Sequence, residues 1–234
     1  MGKGRQWNAE FTARVQAFGF VQSKHDHCLF SKSSTAGMIM LLVYVDDILI
    51  AGNSENQIQE VKAYLNDQFS IKDFGVAKYF LGLKIARRLQ RIAVTQTKYI
   101  ADLIQDAGIT QAKTTTTPQP TGIKFTSEVG NPLTHPEIYR RLVGRILFLG
   151  FTRPDICHAA QQLSQFIQST CKQHLDAALH LLRYLNGTAS KGLFFPSDTS
   201  QELLAYSDAD WVSCLDTRRS LTGFCIFLGS SLIS

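Results

Sequence analysis

The sequence predicts an α+β fold built from antiparallel strands and amphipathic helices. Three observations predict it. An apolar run from Met38 to Val45 is broken by Asp46-Asp47 and resumes from Ile48 to Ala51, the pattern of a β-hairpin. Apolar residues spaced three and four apart mark helices on both sides of that hairpin. Three further helical stripes then give way, from Gly192 onward, to short strands.

The elements follow in order. Residues 9–19 place Phe11, Val15 and Phe18 on one helical stripe that stops at Gly19. Residues 20–30 read as extended chain. The continuously apolar Met38–Val45 predicts a strand buried on both faces. Asp46-Asp47 is read as its two-residue turn, and Gly52 closes the returning strand. Ser54 and Gln57 have capping-box spacing, and Ile58, Val61 and Leu65 form the stripe of the helix that follows. Lys78–Ala86 and Ile92–Thr95 predict a second hairpin around the basic turn Arg87-Arg88-Leu89-Gln90-Arg91. A helix from about Thr97 ends at Gly108, where a glycine just past the last turn is favoured.

Residues 109–136 change character. Thr114 to Thr117, Pro118, Pro120, Gly122, Pro132 and Pro136 show little periodicity, and so long a loop inside a compact domain is unusual, so the segment reads as a linker. Beyond it, Ile138, Leu142, Ile146 and Leu149 line one helix. Pro154 opens a second, with Ile156, Ala160, Leu163 and Ile167 on its stripe. Leu175, Leu179, Leu182 and Leu185 line a third, which stops at Asn186-Gly187. Strands are expected at Gly192–Phe195, Leu203–Trp211 and Gly223–Leu228.

Composition narrows the function classes. With 234 residues the chain is long enough to bury a real core. Charged residues are only 18%, below the ~25% of ordinary globular chains, which implies surface meant to be covered by more protein. The net charge of +5 favours a polyanionic partner, weakly. Five scattered cysteines without a C-x-x-C pair read as reduced thiols of an intracellular protein, neither a disulfide framework nor a zinc cage. The longest apolar run is far short of the ~20 residues of a membrane helix, and no leader is expected, so a soluble chain with no membrane partner is predicted.

The sharpest chemical feature is Tyr44-Val45-Asp46-Asp47. Adjacent carboxylates between apolar strands are costly to bury without a counter-charge. A two-residue hairpin turn also favours Asn-Gly or Asp-Gly. A bound divalent cation explains Asp-Asp there, since Mg²⁺ takes one or two carboxylates plus substrate phosphates. A solvent-exposed acidic turn explains it as well, and the residues alone leave both readings open.

Leu42-Val43-Tyr44-Val45-Asp46-Asp47-Ile48-Leu49 resembles the Y-x-D-D box of reverse transcriptases, in the YVDD form of Ty1/copia-type retrotransposons. Further blocks resemble the same family in the same order: Tyr79 to Ile85, Thr95 to Tyr99, the Thr/Pro-rich segment ending in Thr117-Pro118, Tyr139 to Gly144, Thr152 to Ile156, Arg183 to Thr188, Tyr206 to Trp211 and Thr217 to Ser220. The last two resemble the opening of the copia RNase H domain. The resemblance covers essentially the whole chain and implies a fragment of a Pol polyprotein. Its parts would be a partial reverse transcriptase palm over 1–108, the linker 109–136, a helical thumb and connection over 137–190, and incomplete RNase H strands over 191–234.

The family implies two-metal phosphoryl transfer on a template–primer of RNA or DNA. By position Asp46 is the stronger Mg²⁺ ligand and Asp47 the weaker, with Tyr44 and Val45 lining the floor near the primer end. Arg140, Arg141, Arg145 and Arg153 fall where the family grips the nucleic-acid backbone, and a solvated basic helix face explains them nearly as well. Asp208 resembles the first RNase H acid. It shares a strand face with Asp210, but as single acids both are read mainly as solvated carboxylates. The first palm carboxylate, the fingers and the remaining RNase H acids are expected outside this sequence. The chain is therefore expected to be inactive alone, with complementation by other Pol segments in trans and non-enzymatic nucleic-acid binding as the competing readings. His25, His27 and Cys28 cluster without a complementary ligand pair for zinc. His158, His174 and His180 do not pair as i, i+4 ligands.

Overall fold

The computed structural model describes residues 3–122, 125–126, 130–212, 214 and 216–234. The chain divides into two compact units, Met1–Phe80 and Leu81–Ser234. Residues 81–108, grouped by sequence with the first region, belong to the second unit.

In the first unit, α1 (Lys3–Ala17) precedes β1 (Val21–Gln22), β2 (Leu29–Ser34), β3 (Gly37–Tyr44) and β4 (Asp47–Gly52), then α2 (Glu55–Phe69) and β5 (Tyr79–Phe80). The first four strands form an antiparallel sheet in sequential order. The predicted stripes make the core. Phe11 and Val15 of α1 and Val61 and Leu65 of α2 bury against Phe30, Ile39, Leu41 and Val43, each fully buried side chain contributing about 1.5–3 kcal/mol. Phe11 lies 5.3 Å from Phe69 and 6.1 Å from Phe30, ring to ring. Gly19 at φ 95° makes the sharp exit from α1 that a side chain would resist.

Three expectations are corrected here. β3 is not buried on both faces: Ile39, Leu41 and Val43 are buried while Met38, Met40 and Tyr44 are exposed. Both helices cover a single side of the sheet, so the apolar run has only one face to bury. The hairpin turn is Val45-Asp46, because Asp47 already pairs with Tyr44 on β4. The capping box does not form. Ser54 caps α2 without a side-chain bond, and Gln57 Nε2 instead donates to the Ser34 hydroxyl at 2.5 Å.

In the second unit, β6 (Leu83–Arg88) and β7 (Arg91–Thr95) form the second predicted hairpin, tightened to a Leu89-Gln90 turn. They are followed by α3 (Thr97–Asp106), α4 (Pro136–Leu149), α5 (Cys157–Ser164, entered through a 3-10 turn at Pro154–Ile156) and α6 (Lys172–Gly187). Gly108 at φ 68° supplies the left-handed exit from α3. Ile100, Leu103 and Ile104 of α3 share one core with Tyr139, Val143 and Ile146 of α4, Ala160 and Leu163 of α5, and Ala178, Leu181, Leu182 and Leu185 of α6. On α6, Leu175 and Leu179 lie at the margin, half-buried. Because α3, α4 and α5 all pack on it, its buried face is wider than one leucine stripe.

Residues 109–135 hold no helix or strand among those described, but they are tied down. Thr115 donates to the His180 carbonyl, Gln119 Nε2 donates to Gln162 Oε1 at 2.7 Å, and Pro132 bridges Cys171. β8 (Leu193–Pro196) pairs antiparallel with β7, which makes a β6–β7–β8 sheet. β9 (Leu203–Asp210), β10 (Leu221–Leu228) and β11 (Ser231–Leu232) form a separate antiparallel sheet in the order β11-β10-β9, and every residue of β9 is exposed. Among the described residues no helix is long and apolar enough to cross a membrane.

Candidate functional site

The β3–β4 hairpin places the first candidate residues. Directly opposed residues of an antiparallel pair share a face. Asp47 therefore lies on the face of Tyr44, with Leu42/Leu49 and Met40/Ala51 behind it, while Val43/Ile48 and Leu41/Ile50 face the core. Asp46 sits in the turn beside Val45, which adopts φ 55°. A β-branched residue at positive φ is a genuine outlier and stores strain that the surrounding ladder must hold. Tyr44 is 54% and Val45 70% exposed.

Both carboxylates are exposed, and neither has a side-chain partner among the described residues. They are free oxygen donors, suited to a hard divalent cation that completes its shell with phosphate oxygens. Among the described residues no three His, Cys, Asp or Glu side chains converge to hold a metal ion by themselves. The pair can thus contribute to a centre but not complete one.

The four arginines separate. Arg140 and Arg141 are exposed on α4, Arg140 Nε donating to the Ile167 carbonyl at 3.0 Å. Arg145 pairs with Asp106 at 2.5 Å and lies over the Tyr99 ring. Arg153 is fully buried. Its Nε and Nη2 donate to the two oxygens of Asp155, both at 2.8 Å, while Nη1 donates to the Thr188 carbonyl at 3.0 Å and Nη2 also to the Thr188 hydroxyl at 2.7 Å. With no guanidinium face left in solvent, Arg153 has nothing to offer a phosphate. Tyr184 Oη also donates to Asp155 at 2.8 Å. Burial pushes the Asp155 carboxyl up, but the hydrogen bonds from Arg153 and Tyr184 and the charges of Arg153 and Lys191 outweigh it and hold the pKa below the ordinary range. This internal network was missed by sequence reasoning; opposite charges flanking Pro154 beside an apolar stripe were the signal.

Asp208 and Asp210 are exposed on β9, where Asp210 lies 3.4 Å from His158 Nε2. His25, His27 and Cys28 are exposed and converge on no common point with a further ligand among the described residues. His174, by contrast, is buried. It accepts from the Cys171 amide at Nδ1 and stacks on Phe166 at 4.2 Å, which makes it a helix cap.

A profile of the family described as reverse transcriptase (RNA-dependent DNA polymerase) matches residues 2–121, half of the chain. The chain belongs to the copia-type reverse transcriptases. It is 38% identical over 98% of its length to the retrovirus-related Pol polyprotein from transposon RE1 of Arabidopsis thaliana, and 33% identical over 98% to that from transposon TNT 1-94 of Nicotiana tabacum. It spans only 16% and 18% of those two relatives. An uncharacterized mitochondrial protein of Arabidopsis thaliana is 37% identical over 83% of the chain, which covers 80% of that relative. No solved structure matches. The mixed α+β architecture with antiparallel sheets fits a reverse transcriptase-like domain.

Proposed function

We propose that the β3–β4 hairpin is the catalytic hairpin of a reverse transcriptase palm, with Asp46 and Asp47 as carboxylate ligands of the divalent centre, Mg²⁺ being the physiological ion. The observation that carries this reading is the pair of unpartnered carboxylates at a strained, exposed turn, in the middle of the motif the family uses for this purpose. A two-residue hairpin needs positive φ at a central position, which Gly or Asn supplies without strain, so a β-branched Val45 followed by an acid is not chosen for turn stability. When bound, a divalent cation there supplies positive charge to the nucleotide phosphates and acidifies the primer hydroxyl.

The residues of the chain supply the rest. Asp46 and Asp47 hold negative charge at the tip, and Tyr44 offers a half-exposed ring on the same face as Asp47 for the primer-terminal sugar. Arg140 and Arg141 are free to neutralise template–primer phosphates. Arg145 does so in competition with Asp106, and Arg153 has no part in binding. Asp208 stands with Asp210 on one face of an RNase H-like strand, and without a third ligand beside them among the described residues they do not hold the two ions such cleavage uses.

Polymerisation needs a further carboxylate facing the hairpin, and the described residues bring none there. The 234-residue chain alone therefore binds nucleic acid without extending a primer, and other Pol segments supplied in trans would be needed to complete the centre. Primer extension on an RNA template with Mg²⁺, run beside Asp46→Ala, tests this. The expected result is no incorporation above the variant. Incorporation that vanishes in the variant means that an acid of this chain completes the centre.

A further inference from the structure

We propose that the open edge of β9 pairs with the β9 edge of a second copy of the chain, antiparallel about a two-fold axis, and joins two three-stranded sheets into one. β9 ends the order β11-β10-β9, and among the described residues no strand pairs with its far side. Hydrogen bonds around the sheet tell which backbone groups face that side. The Glu202 carbonyl accepts from the Gly229 amide at 2.7 Å, just beyond the Leu203–Leu228 pair, so even-numbered residues bond toward β10. Ile226, opposite Ala205, spends its amide and carbonyl on Ser234 and Ile233, on the β11 side. The Ala209 amide donates to the neighbouring Asp208 carboxylate at 2.9 Å. Because bonded and non-bonded pairs alternate along an antiparallel ladder, Leu203, Ala205, Ser207 and Ala209 point their N–H and C=O groups at the open edge.

Such an edge is usually guarded by lysines, a proline, a bulge or a covering loop. β9 is a regular strand without Lys, Arg or Pro, paired residue for residue with β10 and exposed along its whole length. Its charge distribution favours its own copy as the partner. The apolar residues, Leu203 and Leu204, stand at one end and the acids, Asp208 and Asp210, at the other. Antiparallel pairing with a second β9 lays the acidic end of each strand against the apolar end of the other, so no like charges meet.

The register follows from the same observations. A two-fold axis matches outward residues only with outward residues, so it passes through one residue position of β9. Centring on Asp208 or Ala209 sets Asp208 opposite Asp208 or Asp210, which like-charge repulsion disfavours. Centring on Ala205 leaves Ala209 unpaired, and centring on Ser207 leaves Leu203 unpaired. Only Tyr206 at the centre engages every outward residue, Leu203 with Ala209 and Ala205 with Ser207. It also brings the two Tyr206 side chains, each 59% exposed, directly opposite at a non-hydrogen-bonded position, where cross-strand aromatic pairs stabilise most closely. A single strand pair is narrower than the ~800 Å² per partner of a standard interface, so the dimer is weak and forms with concentration.

The test is sedimentation velocity of the full chain across a concentration series. The parent is expected to pass from monomer to dimer. Ser207→Pro removes an outward donor from each copy and leaves the β10 ladder whole, and is expected to weaken the dimer about tenfold. Tyr206→Asp and Tyr206→Lys each place like charges at the axis and are expected to be monomeric alone, whereas their equimolar mixture sets Asp opposite Lys and dimerises. Phe224→Ser, a change on the sheet face away from the edge, is expected to dimerise like the parent. A parent that stays monomeric throughout overturns the pairing and leaves the edge to a different chain. Dimerisation of Ser207→Pro equal to the parent, in protein whose circular dichroism and melting match it, overturns the edge as the interface. So does a dimer lost in Phe224→Ser alone, which would assign the contact to the sheet face. A mixture of the two Tyr206 variants that stays monomeric overturns the register.

Discussion

Replacing Arg153 by Met keeps the length of the side chain and removes its charge and every donor. The loss is large because the guanidinium is fully buried and satisfied on all sides, by both Asp155 oxygens and by the Thr188 carbonyl and hydroxyl. Breaking a buried ion pair from one side costs about 3–5 kcal/mol. The Asp155 side chain is 32% exposed, so water rehydrates part of the orphaned carboxylate, and the lower end, about 3 kcal/mol, applies. That is a large share of the ~5–15 kcal/mol that stabilises a typical domain. Urea unfolding followed by circular dichroism measures it as a lowered midpoint with an unchanged slope. Arg153→Met/Asp155→Asn should lose less than the sum of the single variants, since removing both charges leaves no unpaired ion. A loss below about 1 kcal/mol for Arg153→Met, or strict additivity in the cycle, refutes the argument that this arginine is an internal strut.

Two further predictions concern strain and protonation. Val45→Gly removes a β-branched side chain from φ 55° and should raise stability by up to about 1 kcal/mol, the relieved strain exceeding the added freedom of the unfolded glycine; a lower urea midpoint would contradict it. His174 is held below its ordinary pKa, because burial outweighs the raising influence of the Thr126 backbone and the Asp216 charge. Its neutral form therefore belongs to the fold. Stability is full above about pH 6.5, the unfolded value, and is lost as pH falls from there toward the folded pKa. The melting temperature of the parent should drop more steeply on acidification than that of His174→Gln, and parallel curves would refute this.

Much of the fold was legible because each element carried its own periodicity. Phe11 and Val15, Val61 and Leu65, and Ile146 with Leu149 all bury as their spacing required. What failed depended on partners that local sequence does not specify. The run Met38–Val45 looked two-sided, yet whether its second face meets anything is decided by where the helices go. Gln57 had the spacing to cap α2 and found Ser34 instead, a residue distant in sequence. A leucine stripe on α6 marked its buried side without showing that α3, α4 and α5 would converge on Ala178 and Leu181. The two strands of the β3–β4 hairpin were legible, but the placement of the turn was off by one residue, because favoured turn chemistry argued against Val45 at positive φ. That disagreement between local preference and observed backbone is where a functional constraint is expected. Arg153 was misread for the opposite reason. Basic residues near a helix end suggest phosphate contacts, and only the three-dimensional arrangement reveals Asp155, Tyr184 and Thr188 around it.

The most direct test of the central claim is Mn²⁺-induced broadening of backbone amide signals in the nuclear magnetic resonance spectrum, with Mn²⁺ standing in for Mg²⁺. Loss of signal is expected only at the tip of the β3–β4 hairpin, at Val45, Asp46, Asp47 and their immediate neighbours, and the signals are expected to survive in Asp46→Asn/Asp47→Asn. Broadening that is absent from the hairpin, or that persists there in the double variant, would contradict the assignment of these two carboxylates to a divalent centre.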